Sequence, residues 1–349
     1  MKFEIIGPIT CLIALVITNL TIPVIKKIAL HWKLLDIPEP RKAHTLPTPR
    51  IGGISLFLGI SITSIILCQY NPAIITILIG SSLIFSIGII DDIFGITPKQ
   101  KLLFQIIIAT LTYFMGLSIT FVSSPVGAGT LSLKWLSFPL TLIWIVGMTN
   151  ALNIIDGIDG LAAGIAGISA TMLSIVAITT QQYAAACLSL IILGSCLGFL
   201  HHNFAPAKIF MGDSGAMLLG YLLSCISIMG VMKSTTTFSL LIPILMLSLP
   251  ISETLYSIFR RIKNNQKIFK ADFDHFHHKL LKQGFTVKQI TLGFYSLSIV
   301  FGLFAISINF TTGILTYVII SFMVIFASTT GILFKRKSKM IKSILNLFL

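Results

Sequence analysis

The residues best suited to chemistry are aspartates, histidines and bases, gathered in a few short polar stretches of a very apolar chain. One stretch carries adjacent carboxylates, Asp91 and Asp92, followed by Lys99 and Lys101. Two neighbouring carboxylates at membrane depth repel each other and lose solvation. Aspartate near a helix C-terminus also opposes the macrodipole, so the pair is a poor way merely to end a helix. Adjacent helical residues point about 100° apart, so one carboxylate can face a site while the other faces a loop or a base.

A second stretch, Asn150-Ala151-Leu152-Asn153-Ile154-Ile155-Asp156-Gly157-Ile158-Asp159-Gly160-Leu161, is the most specific in the chain. Asn153, Asp156 and Gly160 share one face if the segment is helical, and Asp156 and Asp159 are also one turn apart. Oxygen donors at this density suit a hard cation such as Mg²⁺, with Mn²⁺ as its usual substitute. Asp159 could instead be only the N-cap of the next helix. A third stretch runs from His201 to Gly215 and contains Phe210 and Asp213. Asp213 just before an apolar run has the form of an N-cap. A helix N-terminus also attracts phosphate, so both roles can coexist there.

Two stretches are strongly basic. The first holds Lys42, His44 and Arg50 around Pro47 and Pro49 and ends in Gly52-Gly53. Its bases suit phosphate oxygens, or serve only as a positive-inside anchor. The second holds Arg260, Arg261, Lys263, Lys267 and Lys270, then His275, His277 and His278. No cysteine or fourth ligand supports zinc here. Imidazoles beside bases fit a diphosphate better.

These stretches need a scaffold that brings them together. Hydrophobic residues make up 55% of the 349 residues and charged residues only 10%. Apolar runs of spanning length recur at about 5–25, 51–69, 73–90, 102–119, 136–151, 160–179, 184–200, 214–231, 238–257, 290–309 and 313–334. In lipid the backbone must satisfy its own hydrogen bonds, so the expected fold is an all-α integral membrane bundle of about eleven helices. The whole of 1–349 reads as one domain, with polar loops near 26–50, 91–101, 150–160, 201–215 and 258–289. Alternate threading with the N-terminus outside puts only Lys2, Lys134 and Lys233 of the 25 Lys and Arg outside. It also puts all seven histidines and every acidic residue except Glu4 inside. The positive-inside rule favours this orientation, which gathers all five polar stretches and the C-terminus in the cytosol. It also accounts for most of the net charge of +14. No basic soluble module interleaved with aromatics exists, so nucleic acid is not an expected partner. The first run lacks a basic n-region and is followed by Lys26 and Lys27, the reverse of a cleavable signal. The five cysteines show no CxxC spacing and read as packing residues.

Taken together, the polar stretches resemble the polyprenyl-phosphate N-acetylhexosamine-1-phosphate transferase family. The matching pieces are the Pro47-to-Gly53 loop (PxPRxGG), Ile90-Asp91-Asp92, Asn153-to-Leu161 (NxxDGxDGL), Phe210-to-Gly215 (FMGDSG) and Asp272-to-Leu281 (DxDHxHHxLL), in that order. The last motif and the PxPRxGG form look more like the bacterial GlcNAc-1-phosphate branch than the phospho-MurNAc-pentapeptide branch. That branch starts O-antigen, enterobacterial common antigen or teichoic acid linkage units. The resemblance implies transfer of the sugar 1-phosphate from a UDP-N-acetylhexosamine to undecaprenyl phosphate, releasing UMP, at the cytosolic face of a bacterial cytoplasmic (inner) membrane. It implies Mg²⁺ held by Asn153 and Asp213, with Asp156 in the catalytic set. Asp91 would act as base or position the lipid phosphate. Asp92 would support it by orienting Lys101 or the loop, and Lys101 would contact phosphate. Phe210 would stack on uracil and Asp159 would bind its edge. His275, His277, His278 and Arg261 would grip the diphosphate or sugar. A homodimer is also suggested.

Other classes fit less well. A transporter places ionisable groups near the bilayer midplane, whereas these spans are nearly uncharged through their middles. A CDP-alcohol phosphotransferase would need an Arg after its DG pair and further aspartates downstream, and residues 160–180 contain neither.

Overall fold

A computed structural model describes residues 3–37, 47–68, 71–123, 130–232, 241–264, 276–310 and 321. The helices are α1 (Phe3–His31), α2 (Gly53–Cys68), α3 (Pro72–Phe94), α4 (Pro98–Phe114), α5 (Ser137–Ile155) and α6 (Leu161–Thr179). They continue as α7 (Tyr183–Asn203), α8 (Gly212–Ser227), α9 (Leu241–Met246), α10 (Ser248–Lys263), α11 (Phe276–Lys282) and α12 (Val287–Phe310). The protein is thus an all-α membrane protein, and among the described residues seven of these helices are long and apolar enough to cross a membrane. The expected spans at 51–69 and 102–119 are the shorter α2 and α4. The span expected at 238–257 is broken at Leu247 into α9 and α10. Pro250 explains the break, because it lacks the N–H that would bond the Met246 carbonyl and its ring crowds that carbonyl. Ser169 Oγ on α6 donates to the Met246 carbonyl at 2.9 Å, meeting the need that the proline leaves open. The span expected at 313–334 lies outside the described residues.

The centre of the bundle is α8, followed by α6 and α7, whereas α1, α3, α5 and α12 keep an apolar face outward. Close approach comes from small residues, notably Ala162, Ala163, Gly164, Ala166 and Gly167 of α6. α8 packs against α3 and α5, and α4 packs against both of these, so four helices converge. Local chemistry sets where they begin and end. Thr97 and Gln100 form a capping box and Pro98 opens α4, placing Lys101 in its first turn. α3 stops at Phe94, before Gly95 at φ 71°.

A 3₁₀ turn (Lys134–Leu136), a π-helical turn (Ile228–Met232) and two short antiparallel strand pairs make up the rest of the regular structure among the described residues. In the first, β1 (Leu35–Asp36) pairs with β2 (Thr48–Pro49) through Leu35↔Pro49 and Asp36↔Thr48. The second pairs β3 (Phe121–Ser123) with β4 (Thr130–Ser132) between α4 and α5.

Candidate active site

Four helix ends meet where the acidic residues cluster: the C-termini of α3 and α5 and the N-termini of α4 and α8. Both α3 aspartates are buried, Asp91 at 8% and Asp92 at 5% exposure, and their side chains diverge. Asp91 Oδ1 accepts from the Ile96 N–H at 2.8 Å, and Oδ2 is ion-paired with Lys101 Nζ. Lys101 Nζ also reaches Asp213 Oδ2 at 3.0 Å. Asp213 Oδ1 accepts from Asn153 Nδ2 at 2.5 Å. The result is a chain Asp91–Lys101–Asp213–Asn153 that links α3, α4, α8 and α5. Its members differ in accessibility: the Asp213 side chain is 39% exposed, against 16% for Lys101 and 7% for Asp91. Asp213 is therefore the carboxylate an incoming ligand can reach.

Asp92 has another task. Its Oδ1 accepts from the Asp213 N–H at 2.8 Å, and its Oδ2 from the Ser214 N–H at 3.1 Å and the Ser214 hydroxyl at 2.6 Å. The residue at the N-cap of α8, Met211, makes no side-chain cap. Asp92 supplies that cap from another helix, and its charge sits at the positive end of the α8 dipole. This offsets the cost of an acid near the C-terminus of α3 and corrects two expectations. Asp213 lies inside α8 and is not its N-cap. It is Asp91, not Asp92, that orients Lys101. Arg50 secures the same corner, its Nη2 donating to the Asp92 carbonyl, one of the acceptors freed at the end of α3. The expected phosphate ligand Arg50 is thus anchored as a clamp on α3.

The Pro49-to-Gly53 loop docks directly on the segment before α8. Phe210 N–H donates to the Pro49 carbonyl at 2.7 Å, Gly52 N–H to the Phe210 carbonyl at 2.9 Å and Gly53 N–H to the Met211 carbonyl at 2.8 Å. Glycine is required here. A Cβ on Gly53 would lie 2.5 Å from Ser214 Oγ, and one on Gly212, at φ 69°, would lie 2.6 Å from Asp92 Oδ2. Phe210 is half-buried, held by its main chain at the rim of the site.

The Asp156 region is a turn, not a helical face. α5 ends at Ile155, with Asp156 as C-cap, and α6 starts after Gly160 at φ 74°. The one-face spacing of Asn153, Asp156 and Gly160 therefore does not hold. Asp159 does not cap α6, since Gly160 occupies that position without a side-chain bond. Asp159 Oδ2 instead accepts from the Ala207 N–H at 2.9 Å. The turn is held by residues that sequence reading assigned no role. Asn203 Oδ1 accepts from the Gly160 N–H at 3.0 Å, while its Nδ2 donates to the Ile209 carbonyl at 2.8 Å. From α12, Tyr295 OH donates to the Gly160 carbonyl at 2.5 Å and Thr291 Oγ1 to the Asp159 carbonyl at 3.2 Å. Asn203 had a signal, an amide ending an apolar helix. Thr291 and Tyr295 had none, since hydroxyls are ordinary in such helices. Asp156 itself is half-buried. Burial, then the charges of Asp213, Asp92 and Asp159, push its carboxyl well above the usual carboxylate range.

Arg261 is buried at 5% exposure in the last turn of α10, not in a loop. Nearby, Lys279 Nζ donates to Tyr256 OH at 2.7 Å. Lys42, His44 and His275 lie outside the described residues. His277 and His278 fall on the backbone of α11, and their side chains lie outside the described structure.

The glycosyl transferase family 4 model matches residues 74–231, which span α3 to α8. A probable undecaprenyl-phosphate N-acetylglucosaminyl 1-phosphate transferase of Bacillus subtilis is 37% identical over 333 residues, covering 93% of each chain. A decaprenyl-phosphate N-acetylglucosaminephosphotransferase of Mycobacterium leprae is 32% identical over 81% of this chain and 79% of its own. A phospho-N-acetylmuramoyl-pentapeptide-transferase of Halalkalibacterium halodurans is 29% identical over 84% of this chain and 93% of its own. With a relative this similar along nearly its full length, and the family's central region carrying the converging acids, the chain belongs to glycosyl transferase family 4.

Proposed function

We propose that this protein transfers GlcNAc 1-phosphate from UDP-GlcNAc to undecaprenyl phosphate, releasing UMP, as the first step of a cell-envelope polysaccharide. The observation that carries this reading is the Asp91–Lys101–Asp213–Asn153 chain at four converging helix ends. A lipid phosphate arriving in the membrane and a nucleotide arriving from water can meet only at such a boundary. The names of the relatives, a polyprenyl phosphate and an N-acetylglucosamine phosphate among them, support the substrate pair.

The donor set fits Mg²⁺. Asp213 and Asn153 already touch, through the Asn153 amide N–H, and the charges of Asp213, Asp92 and Asp159 all bear on Asp156. Among the described residues no three His, Cys, Asp or Glu side chains form a closed cage. A site completed by waters and substrate phosphate is the usual Mg²⁺ arrangement. Asn153 and Asp213 would hold the ion, Asn153 offering its amide oxygen, with Asp156 beside them. The bound ion would offset the charge of the phosphates.

The remaining work falls to the chain's own residues. An oxygen of the lipid phosphate attacks the β-phosphorus, the bond to the bridging oxygen breaks, and UMP departs with that oxygen. A phosphate monoester is largely ionised near neutral pH, so Asp91 serves to hold Lys101, and through Lys101 to position the phosphate, rather than to remove a proton. Lys101 lies between two carboxylates, where it can turn from Asp213 to a substrate phosphate. Phe210 and Asp159, at the rim, suit uracil. Arg261, with His275, His277 and His278, suits the diphosphate, and Lys42 and His44 suit approaching anions.

The site faces the cytosol in this reading, with the N-terminus outside. Purified protein given undecaprenyl phosphate, Mg²⁺ and a panel of radiolabelled UDP-sugars tests the substrate choice. Label from UDP-GlcNAc should enter the lipid. Efficient transfer from UDP-MurNAc-pentapeptide would place the protein with the pentapeptide transferases instead.

A further inference from the structure

One helical turn deeper than the acidic chain lies a fully buried amide that belongs to none of the motifs. Gln105 of α4 is 1% exposed. Its Oε1 accepts from Asn150 Nδ2 of α5 at 2.6 Å, and its Nε2 lies 3.3 Å from Met217 Sδ of α8. Each contact is one turn from a residue of the site. Gln105 follows Lys101 by four positions, Asn150 precedes Asn153 by three, and Met217 follows Asp213 by four. On a helix such neighbours lie one above the other. The three helices that supply Lys101, Asn153 and Asp213 are thus joined a second time at Gln105. A buried carboxamide is costly to leave unpaired, so the join fixes spacing as well as contact.

We propose that Gln105 is a positioning residue, setting the spacing of Lys101, Asn153 and Asp213 and thereby the affinity of the site for a divalent cation. This rests on the metal reading above. Outer partners that orient ligands typically contribute ~10–100-fold to metal affinity. Met217 alone cannot replace Gln105, because a thioether neither donates nor binds Asn150 strongly. Asn150 keeps its own bond to the Val146 carbonyl, 2.8 Å away, so α5 survives loss of the amide.

The test is Mn²⁺ binding to purified protein, read by electron paramagnetic resonance without substrate, alongside melting temperature and turnover. Gln105→Leu is similar in size and has no amide. It should melt near the wild type, bind Mn²⁺ ~10-fold more weakly and regain turnover at high Mg²⁺. Gln105→Glu keeps an acceptor for Asn150 and should recover most of the affinity. Asn150→Leu cuts the same hydrogen bond from the other side and should weaken binding by the same factor, the double variant adding nothing further. It also carries the test alone if Gln105→Leu does not fold. Wild-type Mn²⁺ affinity in both leucine variants would overturn the proposal. Asp213→Asn is the control: if it binds Mn²⁺ as the wild type does, the metal reading itself fails and this inference falls with it.

Discussion

Two acidic regions adjoin in this molecule and are built in opposite ways. At the α3–α4–α8 corner the carboxylates are themselves the fasteners. Asp92 caps α8, and Asp91 and Asp213 share Lys101. In the Asp156–Gly160 turn the main chain does most of the fastening, through Asn203, Thr291 and Tyr295, with Asp159 alone of its carboxylates seen to hold a neighbour, the Ala207 N–H. At the corner, chemistry and architecture use the same atoms, and a substitution disturbs both. In the turn, the Asp156 carboxylate can be removed while its scaffold stays in place.

The comparison can be broken by substitution. The largest effect is expected for Asp213→Ala, which removes the more exposed carboxylate of the Asp91–Lys101–Asp213–Asn153 chain, leaves Asn153 Nδ2 without its acceptor and leaves Lys101 with Asp91 alone. Turnover should fall by about 10³-fold or more, in the range seen when a transition-state electrostatic partner is lost. A variant that keeps near-normal turnover at low Mg²⁺ would remove Asp213 from the metal site.

Asp92→Ala and Asp156→Asn sharpen the contrast and should be measured together. Asp92→Ala removes the α8 cap, so stability should drop by about 1–2 kcal/mol along with activity. Asp156→Asn should lose activity at an unchanged or higher melting temperature, because burial and the neighbouring charges disfavour its carboxylate in the folded protein. Equal melting losses would show that the turn also depends on its carboxylates.

Asp91→Asn comes next. Its partners are Lys101 and the Ile96 N–H, not the uracil rim, so kcat and kcat/KM should fall together while the KM for UDP-GlcNAc changes little. Full kcat with a raised nucleotide KM would move Asp91 to the nucleotide site. The smallest effect is expected for Tyr295→Phe. It deletes one hydrogen bond to the Gly160 carbonyl, about 1 kcal/mol, and should raise the KM for UDP-GlcNAc a few-fold without changing kcat. A change in kcat would mean that α12 acts on more than the position of Asp159.

Much of this was legible in the residues. The first ten apolar runs located α1 to α10 and α12, with α9 and α10 read as one, because spanning length and hydrophobicity are local properties. The acids of the site were legible for the same reason in reverse, since a carboxylate in such a chain needs a purpose. Partners across helices were not. Nothing local says that Asp92 finishes α8 or that Arg50 finishes α3. The break at Leu247 depended on Pro250, one of two prolines inside a run that reads as continuous. The Asp156 turn looked helical because its spacing allowed it. Gly160 at φ 74° ends that possibility. Gln105, Thr291 and Tyr295 were hidden because their hydrogen-bonding groups meet partners more than forty residues away.

The central claim is that a sugar phosphate, not a sugar, moves to the lipid. It is tested most directly with UDP-GlcNAc carrying ³²P at the β-phosphorus, incubated with purified protein, Mg²⁺ and undecaprenyl phosphate. The account predicts that the label enters the lipid as a diphosphate-linked GlcNAc and that the released nucleotide is unlabelled UMP. Labelled UDP as the released nucleotide, with GlcNAc but no ³²P on the lipid, would contradict it.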